Sequence, residues 1–198
     1  MSNLRKAIIG LGNKGEDYHN TRHNIGWMLL DYLEKRLKFK YKPCSNFLQA
    51  KSNHNGCDLY FLKPMTFMNC SGHALKRFVE HEKIALANVL IICDDVELDF
   101  GQLRMRPRGG TGGHNGLRSI SEELASEDFP RLRIGVGRGK GDLVEHVLGS
   151  FSKGEETELP HILGRASQAV LDFLVEEWSA LMAKHNKKIK VMTLEEDK

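Results

Sequence analysis

Asn13, His23, Asn69, Asp94 and Asn115 are dispersed over a hundred residues, yet together they supply an imidazole, a carboxylate and several amides. These are the groups that hydrolysis of a polar substrate by water draws on. Each Asn and the His stand in Gly-, Thr- or Ser-bearing loops, and Asp94 ends an apolar run. In Thr21-Arg22-His23-Asn24 the histidine comes just ahead of a helical pattern, where a loop can present its ring to a cleft. The chain has nine histidines, so position alone does not assign a role. Pro64 to Gly72 places Met68 and Asn69 directly before a helix N-terminus. Gly109 to Gly116 is too rich in glycine for a core element and delivers a second His-Asn pair, His114 and Asn115.

These loops need elements to hold them. Lys6 to Leu11 reads as a buried first strand. Ile25, Met28, Leu29, Tyr32, Leu33 and Leu37 then recur at helical spacing, so the loop Gly12 to Asn24 joins strand to helix. Phe47 to Ser52 and Asp58 to Leu62 flank Asn55-Gly56, a dipeptide suited to a tight hairpin turn. Ser71 is the expected N-cap of a helix through about His81. Val89 to Cys93 has the fully apolar character of a strand buried on both faces. Leu103 to Arg106 alternates apolar and basic residues, a helix is expected from about Leu117 to Leu124, and another strand from Arg131 to Val136. A short helix near Leu143 to Leu148 and a long one from about Ile162 to Lys184, with Leu171, Leu174, Val175 and Trp178 on its buried stripe, complete the pattern. The charged tail after Asn186 is expected to fray. With no internal repeat and no break in composition, residues 1–198 are expected to form a single α/β domain around a mixed sheet.

At 198 residues, with 40% hydrophobic and 28% charged residues, the composition is that of a soluble protein, and no apolar run approaches the roughly 18 residues that cross a bilayer. Met1 to Lys6 has neither the apolar segment of a secretory signal nor the pattern of a transit peptide, so the cytoplasm is the expected address. Cys44, Cys57, Cys70 and Cys93 include no pair at metal-ligand spacing and are expected to stay reduced. Cys93, at an apolar strand end beside a carboxylate, should be an inert thiol. The net charge of +3 is modest, but Gly101 to Lys140 holds eight cations against four anions, and seven of the eight are arginine. That density suits either a phosphate-binding surface or a solvated face.

Gly10-Leu11-Gly12-Asn13-Lys14-Gly15 has the G-x-G-x-x-G spacing of a dinucleotide-binding turn and follows an expected strand. The context fails, because helical periodicity starts only near Asn24 and no second parallel strand ending in an acid follows. No cofactor is expected.

The motifs GLGNKG, TRHNIG, KPMTFMNCSG, DDVELDFG, RGGTGGHNGL, RLRIGVGR and HVLGSF, in this order over nearly the whole chain, resemble those of the bacterial-type peptidyl-tRNA hydrolases. The resemblance implies a three-layer α/β fold, a mixed twisted sheet flanked by helices. It also implies cleavage of the ester between a nascent peptide and the 3′ ribose of its tRNA. By resemblance His23 is the base that activates water, Asp94 orients the imidazole and stabilises its charged form, and Asn115 helps at the reacting carbonyl or water. Asn13 and Asn69 match substrate-binding amides. Tyr18 and Met68 match residues that contact the terminal nucleotide and shape the cleft, or else pack locally. Arg106 and Arg133 match a basic clamp for the tRNA 5′ phosphate. Arg104 is an auxiliary contact or an exposed strand residue, and Asn24 touches substrate or caps the following helix.

Lys14 stands where the family commonly has proline, and Glu97 and Asp99 stand where it has Asp and Pro. No metal is implied: His19 and His23 are four apart, but in a loop without the carboxylate–histidine motif of a metallohydrolase. The expected partner is peptidyl-tRNA, met by a monomer without membrane attachment. Two rivals use the same residues differently. One is a non-catalytic RNA-binding protein on this scaffold, disfavoured by the retention of His23, Asp94 and all three asparagines. The other is a small-ester hydrolase, which has no use for Arg106 and Arg133.

Overall fold

A computed structural model describes residues 4–54 and 56–188. The chain runs β1 (Arg5–Gly10), α1 (Ile25–Leu37), β2 (Lys42–Cys44), β3 (Phe47–His54), β4 (Cys57–Pro64), α2 (Ser71–Glu82), β5 (Val89–Asp95), β6 (Leu103–Arg106), α3 (Asn115–Leu124), β7 (Arg131–Gly135), α4 (Leu143–Leu148), α5 (Lys153–Phe173) and α6 (Trp178–His185). The strands form one seven-stranded sheet in the order β2-β3-β4-β1-β5-β7-β6. β4, β1, β5 and β7 are parallel, while β2–β3, β3–β4 and β6–β7 pair antiparallel. This is the mixed sheet the patterning requires.

Because successive strand residues point to opposite faces, the sheet sorts its apolar residues into two cores. Ile8, Phe61, Leu90, Ile92, Leu132 and Ile134 pack with α1, α5 and α6 on one face. Ile9, Leu62, Ile91 and Cys93 pack with α2 and α3 on the other. Every residue of β5 is buried, as a central strand covered on both sides must be. The result is a single three-layer α/β domain.

Several details depart from the sequence pattern. The expected long helix from Ile162 to Lys184 is two helices. α5 starts earlier, on a capping box in which the Ser152 hydroxyl accepts from the Glu155 N–H and the Glu155 carboxylate accepts from the Ser152 N–H. That S-x-x-E signature was legible in the sequence. The chain then breaks at 174–177, leaving Val175 68% exposed rather than on a buried stripe. The break lets α6 turn back: Asp172 accepts from His185 at 2.8 Å, from Lys184 at 2.6 Å and from Gln168 at 2.8 Å. Asn186 then covers the edge of β6, its side chain accepting from the Met105 N–H at 2.7 Å and donating to the Met105 carbonyl at 3.1 Å. Asn186 and Lys187 are tied down in this way, with Gln102 donating to the Lys187 carbonyl, and the tail from 189 onward lies outside the described residues. β2 carried no alternating pattern and includes Pro43, which only an edge strand tolerates. Ser71 is the first residue of α2 rather than its cap. A short 3-10 turn at Met68–Cys70 already winds the chain, and the Ser71 hydroxyl donates back to the Met68 carbonyl at 2.9 Å. The hairpin between β3 and β4 forms with Gly56 at φ 78°; Asn55 is outside the described residues.

Candidate active site

β1, β4, β5 and β7 all end on the same side of the sheet, and β4→α2→β5 steps over β1, so the chain leaves β1 and β5 in different directions. A crevice beyond the carboxyl ends of strands at such a switch point is where open α/β sheets bind ligands. The cleft found there has a volume of about 390 Å³ and is lined by Asn13, His23, Phe67, Met68, Asn69, Asp94, Asp95, Val96, Glu97, Gly112, Gly113, His114, Asn115 and Arg133, with Leu143, Val144, Val147 and Leu148 of α4 along one wall. Asn13, His23, Asn69, Asp94 and Asn115, 102 positions apart from first to last in the sequence, therefore share one cavity.

His23 is seated by a close backbone crossing. A Cβ on Gly26 would lie 2.6 Å from the Leu11 carbonyl oxygen and 2.8 Å from that of Ile92, and one on Gly10 would lie 2.4 Å from the Gly26 carbonyl oxygen. The N-terminus of α1 thus rests directly on β1 and β5, and this is the physical use of the glycine that opens the G-x-G-x-x-G run. Three residues before Gly26, His23 is buried with its Nδ1 2.8 Å from Asp94 Oδ1. Asp94 is buried at the end of β5. Burial opposes its ionisation, but the electrostatic and hydrogen-bonding pull of the two imidazoles, His114 first and then His23, holds its carboxyl well below the usual carboxylate range. An ionised carboxylate only accepts, so His23 Nδ1 carries the hydrogen and Nε2 is left as the basic nitrogen. The neighbouring Asp95 is engaged elsewhere, with its Oδ2 3.1 Å from Arg133 Nη1.

Asn24 occupies the N-cap position of α1 without a side-chain cap hydrogen bond, and it is not among the residues lining the cleft. It is buried, and its amide clamps the backbone of Asn13: Oδ1 accepts from the Asn13 N–H at 2.8 Å and Nδ2 donates to the Asn13 carbonyl at 3.0 Å. Its amide is thereby committed to the backbone of Asn13. The clamp also restrains the loop in which Lys14 replaces proline; Lys14 itself is exposed, its Nζ 5.3 Å from the Phe67 ring centroid. Asn13 Oδ1 accepts from the Met68 N–H at 2.9 Å, which ties the first loop to the third and leaves Nδ2 for a ligand. Asn69 Oδ1 accepts from Cys70 Sγ at 3.6 Å, leaving its Nδ2 likewise. Met68 is buried in the cleft floor. Tyr18 is half-buried in the turn Glu16–Tyr18 and is not among the lining residues.

α3 begins at Asn115, two residues earlier than its periodicity suggested, because His114 caps it. The His114 Nδ1 accepts from the N–H groups of Gly116 at 3.1 Å and Leu117 at 3.3 Å, and its Nε2 lies 3.0 Å from Asp94 Oδ1. Histidine is not a usual N-cap, so nothing beyond its place beside Asn115 pointed to it. His23, Asp94 and His114 bring three donor atoms within 4.8 Å of one another, but their bonding does not suit a cation. A nitrogen that accepts two backbone N–H bonds is unprotonated, so the neutral ring carries its hydrogen on Nε2, and ligation through Nε2 would require an imidazolate.

The arginine-rich segment divides. Arg131 is buried and donates to the carbonyls of Gly109, Gly110 and Glu127, so it braces the glycine loop and leaves the surface cluster. Burial, then the neighbouring Arg133, lowers its pKa to about 10. Arg133 lines the cleft but also donates to the Gly110 carbonyl at 2.6 Å. Arg104 and Arg106 are exposed on β6, and in the β6–β7 register Arg104 faces Arg133 and Arg106 faces Arg131. Residues directly opposite share a face of the sheet. Arg104 is therefore the direct cross-strand neighbour of Arg133, and Arg106 its diagonal one. The thiols are all free; that of Cys93 is buried, and burial, then Asp94, pushes its pKa far up.

By fold the molecule is a three-layer α/β protein whose chemistry-bearing groups gather at the switch point, as ligand sites of that class do. Comparison with known proteins narrows the class. A model of the peptidyl-tRNA hydrolase family matches residues 7–192. A peptidyl-tRNA hydrolase of Cytophaga hutchinsonii is 48% identical over 174 residues, covering 86% of this chain and 92% of its own. One from Thermoanaerobacter sp. (strain X514) is 45% identical over 185 residues, 91% of this chain and 98% of its own. The crystal structure of peptidyl-tRNA hydrolase from Acinetobacter baumannii matches with a TM-score of 0.86 at 33% identity, covering 94% of this chain and 96% of that one. The chain belongs to the peptidyl-tRNA hydrolase family. Among the described residues no helix is long and apolar enough to cross a membrane.

Proposed function

We propose that this protein hydrolyses the ester joining a peptide, or an N-blocked aminoacyl group, to the 3′ ribose of tRNA, and so recycles tRNA from peptidyl-tRNA released early. The observation that carries the mechanism is the His23–Asp94 pair, 2.8 Å apart in the cleft floor with the other imidazole nitrogen unbound by Asp94. His23 Nε2 takes a proton from water as the water oxygen attacks the ester carbonyl, and Asp94 steadies the resulting imidazolium. This is triad logic with water in place of a side-chain nucleophile. Amide donors of Asn115, Asn13 and Asn69 hold the acyl group and the oxygen that gains charge. When the intermediate collapses, the carbonyl carbon–3′ oxygen bond breaks and His23 returns its proton to the leaving ribose oxygen. The products are the peptide's carboxylic acid, which gives its proton to solvent, and tRNA with an intact 3′ hydroxyl. No metal enters the scheme.

The tRNA body is assigned to the arginine face. Like charges directly opposite on paired strands are destabilising, yet β6 and β7 carry two such pairs. Among the described residues no carboxylate forms a salt bridge with Arg104 or Arg106, whereas Arg133 shares Asp95. Arg106 and Arg133, with Arg104 directly opposite Arg133 in the register, form a clamp for phosphate, including the 5′ phosphate. Such contacts position tRNA without reading its sequence. Tyr18 and Met68 border the terminal nucleotide. The proposed actor is a monomer, and the substrate class supports the cytoplasm as the place of action.

The test is release of the blocked amino acid from N-acetyl-aminoacyl-tRNA by the intact protein and by His23→Ala at equal folded concentration. Cleavage should vanish in the variant with tRNA binding retained. Tight tRNA binding without cleavage by the intact protein would instead identify a non-catalytic RNA-binding protein.

A further inference from the structure

We infer that His114 is a positioning residue for the His23–Asp94 pair: locked by the first turn of α3 as the neutral Nε2–H tautomer, it donates to the same carboxylate oxygen that receives His23 Nδ1–H. This inference rests on the reading of His23 as the base. Two backbone N–H groups, of Gly116 and Leu117, converge on His114 Nδ1. Protonating that nitrogen would break both bonds and set a cation at the positive end of a helix, so the ring is held with its hydrogen on Nε2. That hydrogen is directed at Asp94 Oδ1 at 3.0 Å, the oxygen that lies 2.8 Å from His23. The two rings stand 4.9 Å apart, inclined by 38°.

Two consequences follow. A carboxylate gripped through one oxygen by two imidazoles on different elements, the turn before α1 and the cap of α3, cannot rotate away from His23. In addition, the second N–H draws charge from the shared oxygen, so Asp94 stabilises an imidazolium at His23 less than a singly bonded carboxylate would. The other charged groups nearby are occupied or turned away: Asp95 binds Arg133, Glu97 pairs with Arg138, Arg22 pairs with Glu155, Arg118 on α3 is exposed, and the Cys93 thiol is buried and uncharged. No other titratable group among the described residues contacts Asp94 Oδ1.

The test combines a variant with a measurement on the unaltered protein. His114→Ser keeps an N-cap for α3 but cannot reach Asp94. Losing one hydrogen bond to a charged group should move the acid limb of its kcat/KM–pH profile upward by up to about one unit, with kcat reduced about tenfold. An acid limb that stays in place while kcat falls would reduce His114 to a helix cap and overturn the inference. Independently, imidazole nitrogen NMR of the unaltered protein at neutral pH should show His114 unprotonated at Nδ1 and protonated at Nε2. Protonation at Nδ1 would overturn the inference even if His114→Ser fails to fold. Failure of the underlying reading looks different, because His23→Ala would then keep its cleavage while the His114 nitrogens still show the locked tautomer.

Discussion

Asp94→Asn separates charge from shape at the centre of the site. Asp94 receives both imidazole N–H groups on Oδ1, at 2.8 and 3.0 Å, and asparagine can offer a carbonyl oxygen in the same place. The fold and the two contacts should survive while the negative charge is lost. With the charge centres about 4 Å apart and an effective dielectric constant of about 20, the imidazolium formed during catalysis loses about 4 kcal/mol of stabilisation. That corresponds to about three powers of ten in rate. The assay is single-turnover release of N-acetyl-aminoacyl groups from tRNA, with tRNA affinity measured on the same sample. Affinity should change little and the chemical step should fall about a thousandfold. Asp95→Asn removes the charge facing Arg133 and keeps an acceptor for the Glu97 N–H, and it should leave that step within about tenfold of the unaltered protein by the same bookkeeping. A loss below tenfold in folded Asp94→Asn would refute the assignment of Asp94 as the carboxylate that supports the base.

Other expectations follow from the same geometry. Because Asp94 is held below the carboxylate value of about 3.9 expected in the unfolded chain, it contributes stability that is complete above that value and is lost as pH falls toward the folded one; Asp94→Asn should flatten the acid side of the stability–pH curve in denaturant titrations. Arg106→Ala should weaken tRNA binding and reduce the slope of log affinity against log salt by about one, with cleavage of a short aminoacyl-nucleotide unchanged; equal loss on both substrates would remove the clamp. Asn24→Ala strands the buried backbone of Asn13 and should cost about 1–3 kcal/mol in stability together with a fall in kcat, read by urea unfolding and steady-state kinetics. Cleavage should persist in EDTA, and loss that zinc restores would overturn the metal-free scheme.

The central strands, the hairpin and the candidate site residues were legible in the sequence, the last with the help of the family's motifs, whereas the edge strand β2 was not. Apolar runs have to be buried, a two-residue alternation has to sort onto the faces of a sheet, and the dispersed His, Asp and Asn residues stand at loop positions just beyond those runs. Even the start of α5 was written in Ser152 and Glu155, a signal local enough to read without coordinates. What needed the tertiary structure was whatever depends on which groups meet across the chain. Nothing near Asn24 says that its amide will be spent on the backbone of Asn13, and nothing near Arg131 says that it will brace carbonyls beneath the glycine loop rather than face phosphate. His114 is a plain loop histidine until α3 and β5 converge and give each of its nitrogens a separate partner. Chain propensity acts over a few residues, whereas the partner of a buried polar group is chosen by how the elements pack. The sequence therefore determined which groups could hydrolyse an ester, and the packing decided which of them touch, which hold the others and which face solvent.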